Sequence, residues 1–121
     1  MISALHHVQL ACPAGSESAL REFYGGLLGM TEVARPAALA ARGGVWFRAG
    51  TAELHLGVET DFQPARKAHP GLIVSDLDTL ARRLEQAGYP VTWDALLPGY
   101  HRIHTQDPNG NRIELLEPAA G

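Results

Sequence analysis

A chain of 121 residues is about one domain's worth and can bury roughly two-thirds of its unfolded surface without cross-links. The single cysteine, Cys12, excludes an internal disulfide, and a net charge of -3 with scattered Lys and Arg excludes the basic stripe of a nucleic-acid binder. The opening MISALHHVQLACPAG has neither a basic start nor a long apolar run, which predicts a soluble, cytoplasmic protein without signal peptide or membrane span.

The first predicted element is the alternating run LHHVQLA, where Val8 and Leu10 share one face and His7 and Gln9 the other. GSESALREFYGGLLG follows. Ser16 can cap a helix whose Ala19, Leu20, Phe23, Tyr24, Leu27 and Leu28 recur at helical spacing, closed by glycine. TEVAR, GGVWFRAG and AELHLGVE then read as three short strands separated by turn residues. The order of the first half, residues 1–60, is therefore βαβββ.

The second half, residues 67–118, repeats that order. AHPGLIV is a strand, and Asp76 caps a helix in SDLDTLARRLEQAG with Leu77, Leu80, Ala81 and Leu84 in one stripe. YPVTW, YHRIHTQ and NRIELLE supply three more strands, with DPNGN as the turn before the last. Counting supports an internal repeat: His55 lies 26 positions beyond the helix-ending Gly29, and Glu114 lies 26 beyond Gly88. LHL at 54–56 then falls on IEL at 113–115, a polar residue between two apolar ones in each. His7 and His69 stand at the first strand of each half.

Strand alternation puts His7, His55 and Glu114 opposite the apolar faces that the helices cover, while His69 shares its face with Gly71 and Ile73. If the halves pack about a pseudo-two-fold axis, these four converge in a cleft between two curved sheets. Three imidazoles and a carboxylate suit a divalent zinc, nickel, cobalt, manganese or iron(II) ion.

With HHVQLA, FYGGLLGM, AELHLG, HPGLIVSDLDTLARRLEQAG and DPNGNRIELLEP in place, nearly the whole chain resembles the vicinal oxygen chelate superfamily. That superfamily includes glyoxalase I, methylmalonyl-CoA epimerase, extradiol dioxygenases and the fosfomycin- and bleomycin-resistance proteins. The resemblance implies an α+β fold of two βαβββ modules and a homodimer. It matches His7, His69 and Glu114 to the recurrent metal ligands, and His55 to a position that is glutamate in glyoxalase I. That change removes one candidate base, so glyoxalase I activity does not transfer directly.

The predicted activity is that of a metal-dependent isomerase or lyase, in which two adjacent oxygens of a small substrate are chelated and an oxyanion is stabilised. Glu114, Glu53 and a metal-bound hydroxide are each candidates for the base. An iron(II) extradiol-type dioxygenase and a metal-free binding protein of the bleomycin-sequestering type are the alternatives. Tyr100, Arg102 and His104 share one face of the penultimate strand beside Glu114. There Arg102 could hold a carboxylate or phosphate and Tyr100 could donate a hydrogen bond to an oxyanion. Glu53 is expected to be solvated, His6 to be structural, and Trp46, Phe47 and Trp93 to belong to the core, one tryptophan roofing the pocket. GNR at 110–112 is a turn and strand start rather than a phosphate loop, because no helix follows it.

Overall fold

A computed structural model describes residues 1–120. The chain divides into two compact units, Met1–Pro64 and the segment from Ala65 onward, each carrying one four-stranded mixed sheet and helical segments. This is the α+β architecture expected. No described helix is long and apolar enough to cross a membrane.

In the first unit the elements are β1 (Val8–Cys12), α1 (Glu17–Leu20), β2 (Thr31–Val33), α2 (Ala37–Ala40), β3 (Val45–Ala49) and β4 (Ala52–Val58). The sheet order is β1-β4-β3-β2, with β1 parallel to β4 and the other pairs antiparallel. Leu10, Leu54, Leu56, Val45 and Phe47 form a buried apolar face with Leu20, Phe23 and Tyr24 from the helical segment.

The helix departs from its expected form. Only its first turn is α-helical; Arg21–Leu27 winds as a π-helix, and Leu28 N–H donates to the Phe23 carbonyl five residues back. Within the predicted stripe Ala19 is exposed while Leu20, Phe23 and Tyr24 are buried. The Ser16 hydroxyl does not cap the helix but donates to the Pro13 carbonyl at 2.8 Å. The short α2 was not anticipated; Ala-rich sequence after Pro36 accounts for it.

One glycine is obligatory for the sheet. Gly44 has φ +88°, and a Cβ there would run into the Leu56 carbonyl. Its N–H donates to Glu17 Oε2 at 2.8 Å, tying β3 to the helix start. That bond lowers the Glu17 carboxyl below its usual range.

In the second unit the elements are β5 (Gly71–Ile73), α3 (Leu77–Gln86), β6 (Thr92–Asp94), β7 (Tyr100–Gln106) and β8 (Arg112–Pro118), with sheet order β5-β8-β7-β6. Asp76 caps α3 by accepting from Thr79 N–H at 3.3 Å, as its sequence predicts. The predicted stripe Leu77, Leu80, Ala81 and Leu84 is buried, as are Ile103, Ile113 and Leu115 on the sheet. The β7–β8 turn is built around Asp107, whose carboxylate accepts from Asn109 N–H, Asn111 N–H and Asn111 Nδ2.

Candidate metal centre

In the second unit, β8 places Glu114 between Ile113 and Leu115, which face the helix, so its side chain projects from the other face. Register decides its neighbours. On β7 the residue directly across is His104, and on β5 it is Gly71. Glu114 N–H donates to the Pro70 carbonyl, and its carboxylate lies over Gly71, where a Cβ would sit 3.8 Å from Oε1. Glu114 leans toward His69, whose Nε2 lies 2.8 Å from Glu114 Oε1.

Ligand atoms of His69, His104 and Glu114 all lie within 4.8 Å of one another. His104 Nε2 is 3.9 Å from Glu114 Oε1. Ligation needs an unprotonated ring nitrogen and an ionised carboxylate. The Lys67 carbonyl, 2.7 Å from His69 Nδ1, can only accept, so Nδ1 donates to it and Nε2, which faces Glu114 Oε1, is the atom through which His69 would bind a metal in place of a proton. Burial pushes His104 down, keeping its imidazole neutral. Burial pushes the Glu114 carboxyl up, but hydrogen bonds from His69 and Arg102 outweigh it and hold the group below the usual carboxylate range. Two imidazole nitrogens and one carboxylate oxygen are a donor set that fits a divalent ion of the zinc-to-iron series.

Arg102 is turned inward. Its Nη1 donates to Glu114 Oε2 at 3.1 Å and its Nε forms an ion pair with Asp94 at 3.2 Å. Its place beside Glu114 in the sequence suggests a cation free to hold a substrate anion. In the structure its cation is engaged by two carboxylates, and it orients Glu114 so that Oε1 faces the histidines. Tyr100 opens β7 opposite Pro118. It is four residues from His104, roughly 13 Å along the strand, so it is not brought to this cluster.

In the first unit His7 and His55 are brought together, but in a different setting. His55 is buried at 4 % exposure and sandwiched: its ring centroid is 3.7 Å from that of Trp46 and 4.1 Å from that of His7, both stacked. His55 Nε2 lies 2.8 Å from Glu53 Oε2, leaving Nδ1 as its remaining donor atom. Glu53 is not simply solvated. Hydrogen bonds from His55 and then Arg48 lower its carboxyl to about 2, which makes it a poor proton acceptor. Trp46 is half-buried against His55 rather than in the core, Trp93 is half-exposed, and Phe47 is in the core as expected. His6 is exposed, with Nδ1 2.9 Å from His7 Nδ1.

His104 is the ligand-type residue that the sequence reading grouped near Glu114 without making it a ligand. The signal was present: pairing outward from the turn, Gln106 meets Arg112 and His104 meets Glu114.

A family profile for the glyoxalase-like domain matches residues 9–116. The chain belongs to the glyoxalase-like family. This places it in the vicinal oxygen chelate superfamily that its motifs resemble. A solved structure from Bacillus anthracis, assigned to the glyoxalase family, is 42% identical to this glyoxalase-like chain, covers 98% of both chains and superposes with a TM-score of 0.93. The fosfomycin resistance protein FosX from Listeria monocytogenes shares the fold at 15% identity, with coverage of 98% and 96% and a TM-score of 0.76. TnmS3, an antibiotic-binding protein from a Streptomyces species, does so at 21% identity, with coverage of 98% and 100% and a TM-score of 0.72. No curated protein matches the sequence.

Proposed function

We propose that this glyoxalase-like chain is a metal-dependent enzyme acting on a small substrate with two adjacent oxygens, by removal of a proton next to a carbonyl. The observation that carries this reading is the donor set His69, His104 and Glu114 within 4.8 Å, with His69 Nδ1 committed to a backbone carbonyl. A zinc, nickel, cobalt, manganese or iron(II) ion held there supplies Lewis acidity toward the substrate oxygens. The protein's part is orientation: Lys67 fixes the His69 tautomer, and Arg102 fixes the Glu114 carboxylate. Glu114, whose Oε1 is aimed at both histidines, is the proposed proton acceptor on leaving the ion. Glu53 is hydrogen-bonded to His55 and Arg48 on the first sheet, outside this donor set.

The resemblance also offers His7 and His55 as ligands. His7→Ala and His55→Ala test that wider set: loss of metal from either variant would extend the centre to the first sheet. A homodimer belongs to the same proposal, and sedimentation equilibrium reads it.

The test is deuterium incorporation. The protein, reconstituted with each metal, is mixed with small α-hydroxy- and α-oxo-carbonyl compounds in heavy water and followed by proton NMR. Metal-dependent exchange of the proton next to the carbonyl, abolished in Glu114→Gln, is the expected result. Oxygen consumption with iron alone would point to the dioxygenase chemistry of the same donor set. No turnover with any metal would leave metal-free binding of a small molecule as the reading; TnmS3 is described as an antibiotic-binding protein.

A further inference from the structure

A cavity of about 310 Å³ opens on the second sheet, lined by Thr92 of β6, by His104, Thr105 and Gln106 of β7, and by Arg112 and Arg66. It shares His104 with the candidate metal centre. Arg112 sits two residues before Glu114 on β8 and projects from the same face.

Two arginines line this cavity. Arg21, Arg48 and Arg102 each have a carboxylate partner within 3.2 Å. Among the described residues, neither Arg66 nor Arg112 forms an ion pair with a carboxylate; the contact found for Arg112 Nη1 is the Arg66 carbonyl at 3.5 Å, the limit of a hydrogen bond. Two guanidiniums without a carboxylate partner on one cavity wall point to a ligand that brings acceptor oxygens.

We propose that this cavity is an oxyanion-recognition pocket, in which Arg112 and Arg66 hold a carboxylate or phosphate-type group of a small ligand. Guanidinium forks match the geometry of both anions, and 310 Å³ is at the small end of ligand pockets. His104 forms part of the same wall, so the other end of a ligand anchored here points toward the metal centre. The pocket thereby narrows the substrate class to small anionic molecules. That identification of the anion with a substrate rests on the proposed function; the anion site itself does not.

The experiment uses full-length protein stripped of metal with a chelator, titrated with inorganic phosphate and, separately, with acetate, and followed by amide NMR. Saturable shifts at Thr92, His104, Thr105 and Gln106 are expected, and whichever anion binds more tightly assigns the class. Arg112→Gln weakens that binding by roughly tenfold or more, and Arg66→Gln by several-fold. Arg66 is exposed, so its variant keeps the fold and serves if Arg112→Gln does not. Undiminished binding in Arg66→Gln and Arg112→Gln would overturn the proposal, as would the absence of shifts at these residues with either anion up to about 50 mM. Because metal is absent throughout, this outcome is independent of whether the metal centre exists, which metal analysis decides separately.

Discussion

The two sheets use one register for two kinds of surface. In the first, His55 of β4 is paired with Gln9 and Trp46; in the second, the matching residue of the repeat, Glu114 of β8, is paired with Gly71 and His104. His55 is therefore walled by an indole and closed by Glu53, whereas Glu114 has room over a glycine and a second imidazole across from it. Two residues before Trp46 stands Gly44, packed against the Leu56 carbonyl; two before His104 stands Arg102, which clamps Glu114. The difference teaches that strand pairing supplies the geometry, while the side chains at three or four equivalent positions decide whether a donor is sealed by aromatic stacking or left open to a cation.

Substitutions at these paired positions should separate the two roles. Gly44→Ala should cost about 4 kcal/mol or more, since the new methyl overlaps a backbone carbonyl and φ is positive. Urea denaturation measures it, and a loss under about 1 kcal/mol would show that the β3–β4 approach is not rigid. His104→Ala should weaken zinc binding by more than about 100-fold, beyond the roughly 10- to 100-fold that loss of an outer-shell partner usually costs. Competition with a chromophoric chelator reads that change, and unchanged affinity would remove His104 from the ligand set.

Trp46→Ala, the corresponding change in the first sheet, should act on stability, by about 2 kcal/mol for a half-buried indole stacked on an imidazole. The smallest effect concerns Glu17, whose carboxylate receives Gly44 N–H. Glu17→Gln should lose about 1 kcal/mol at neutral pH. Because the folded-state value of Glu17 is depressed, its contribution is present above the ordinary carboxylate range, from about pH 5 upward. It disappears as pH falls through the depressed value. Wild type and Glu17→Gln should thus differ at pH 7 and converge in acid, and a constant gap across that range would mean the ionised form is not what stabilises.

Much of this was legible in the sequence because alternation and turn residues are local signals. LHHVQLA, AELHLGVE and NRIELLE fix which side chains share a face, Asp76 marks a helix start, and the matched spacing of His55 and Glu114 exposes the repeat. Less legible was anything set by partners distant in sequence. The π-helical turn over Arg21–Leu27 follows from packing around Phe23 and Tyr24, which helical periodicity alone does not encode. Arg102 and Glu53 looked available because nothing in a strand pattern says which charge will neutralise which. His104 was readable in principle, by counting outward from Asp107–Asn111. Its likeness to a surface polar residue hid it.

The most direct test of the account is elemental analysis of the wild-type protein and a His69→Ala/Glu114→Ala double variant, both purified without chelator or a histidine-containing tag. About one metal per chain in the wild type and none in the double variant is the predicted result. A wild-type protein that takes up no zinc, nickel, cobalt, manganese or iron on reconstitution, or a double variant that retains its metal, would contradict a centre built on the second sheet.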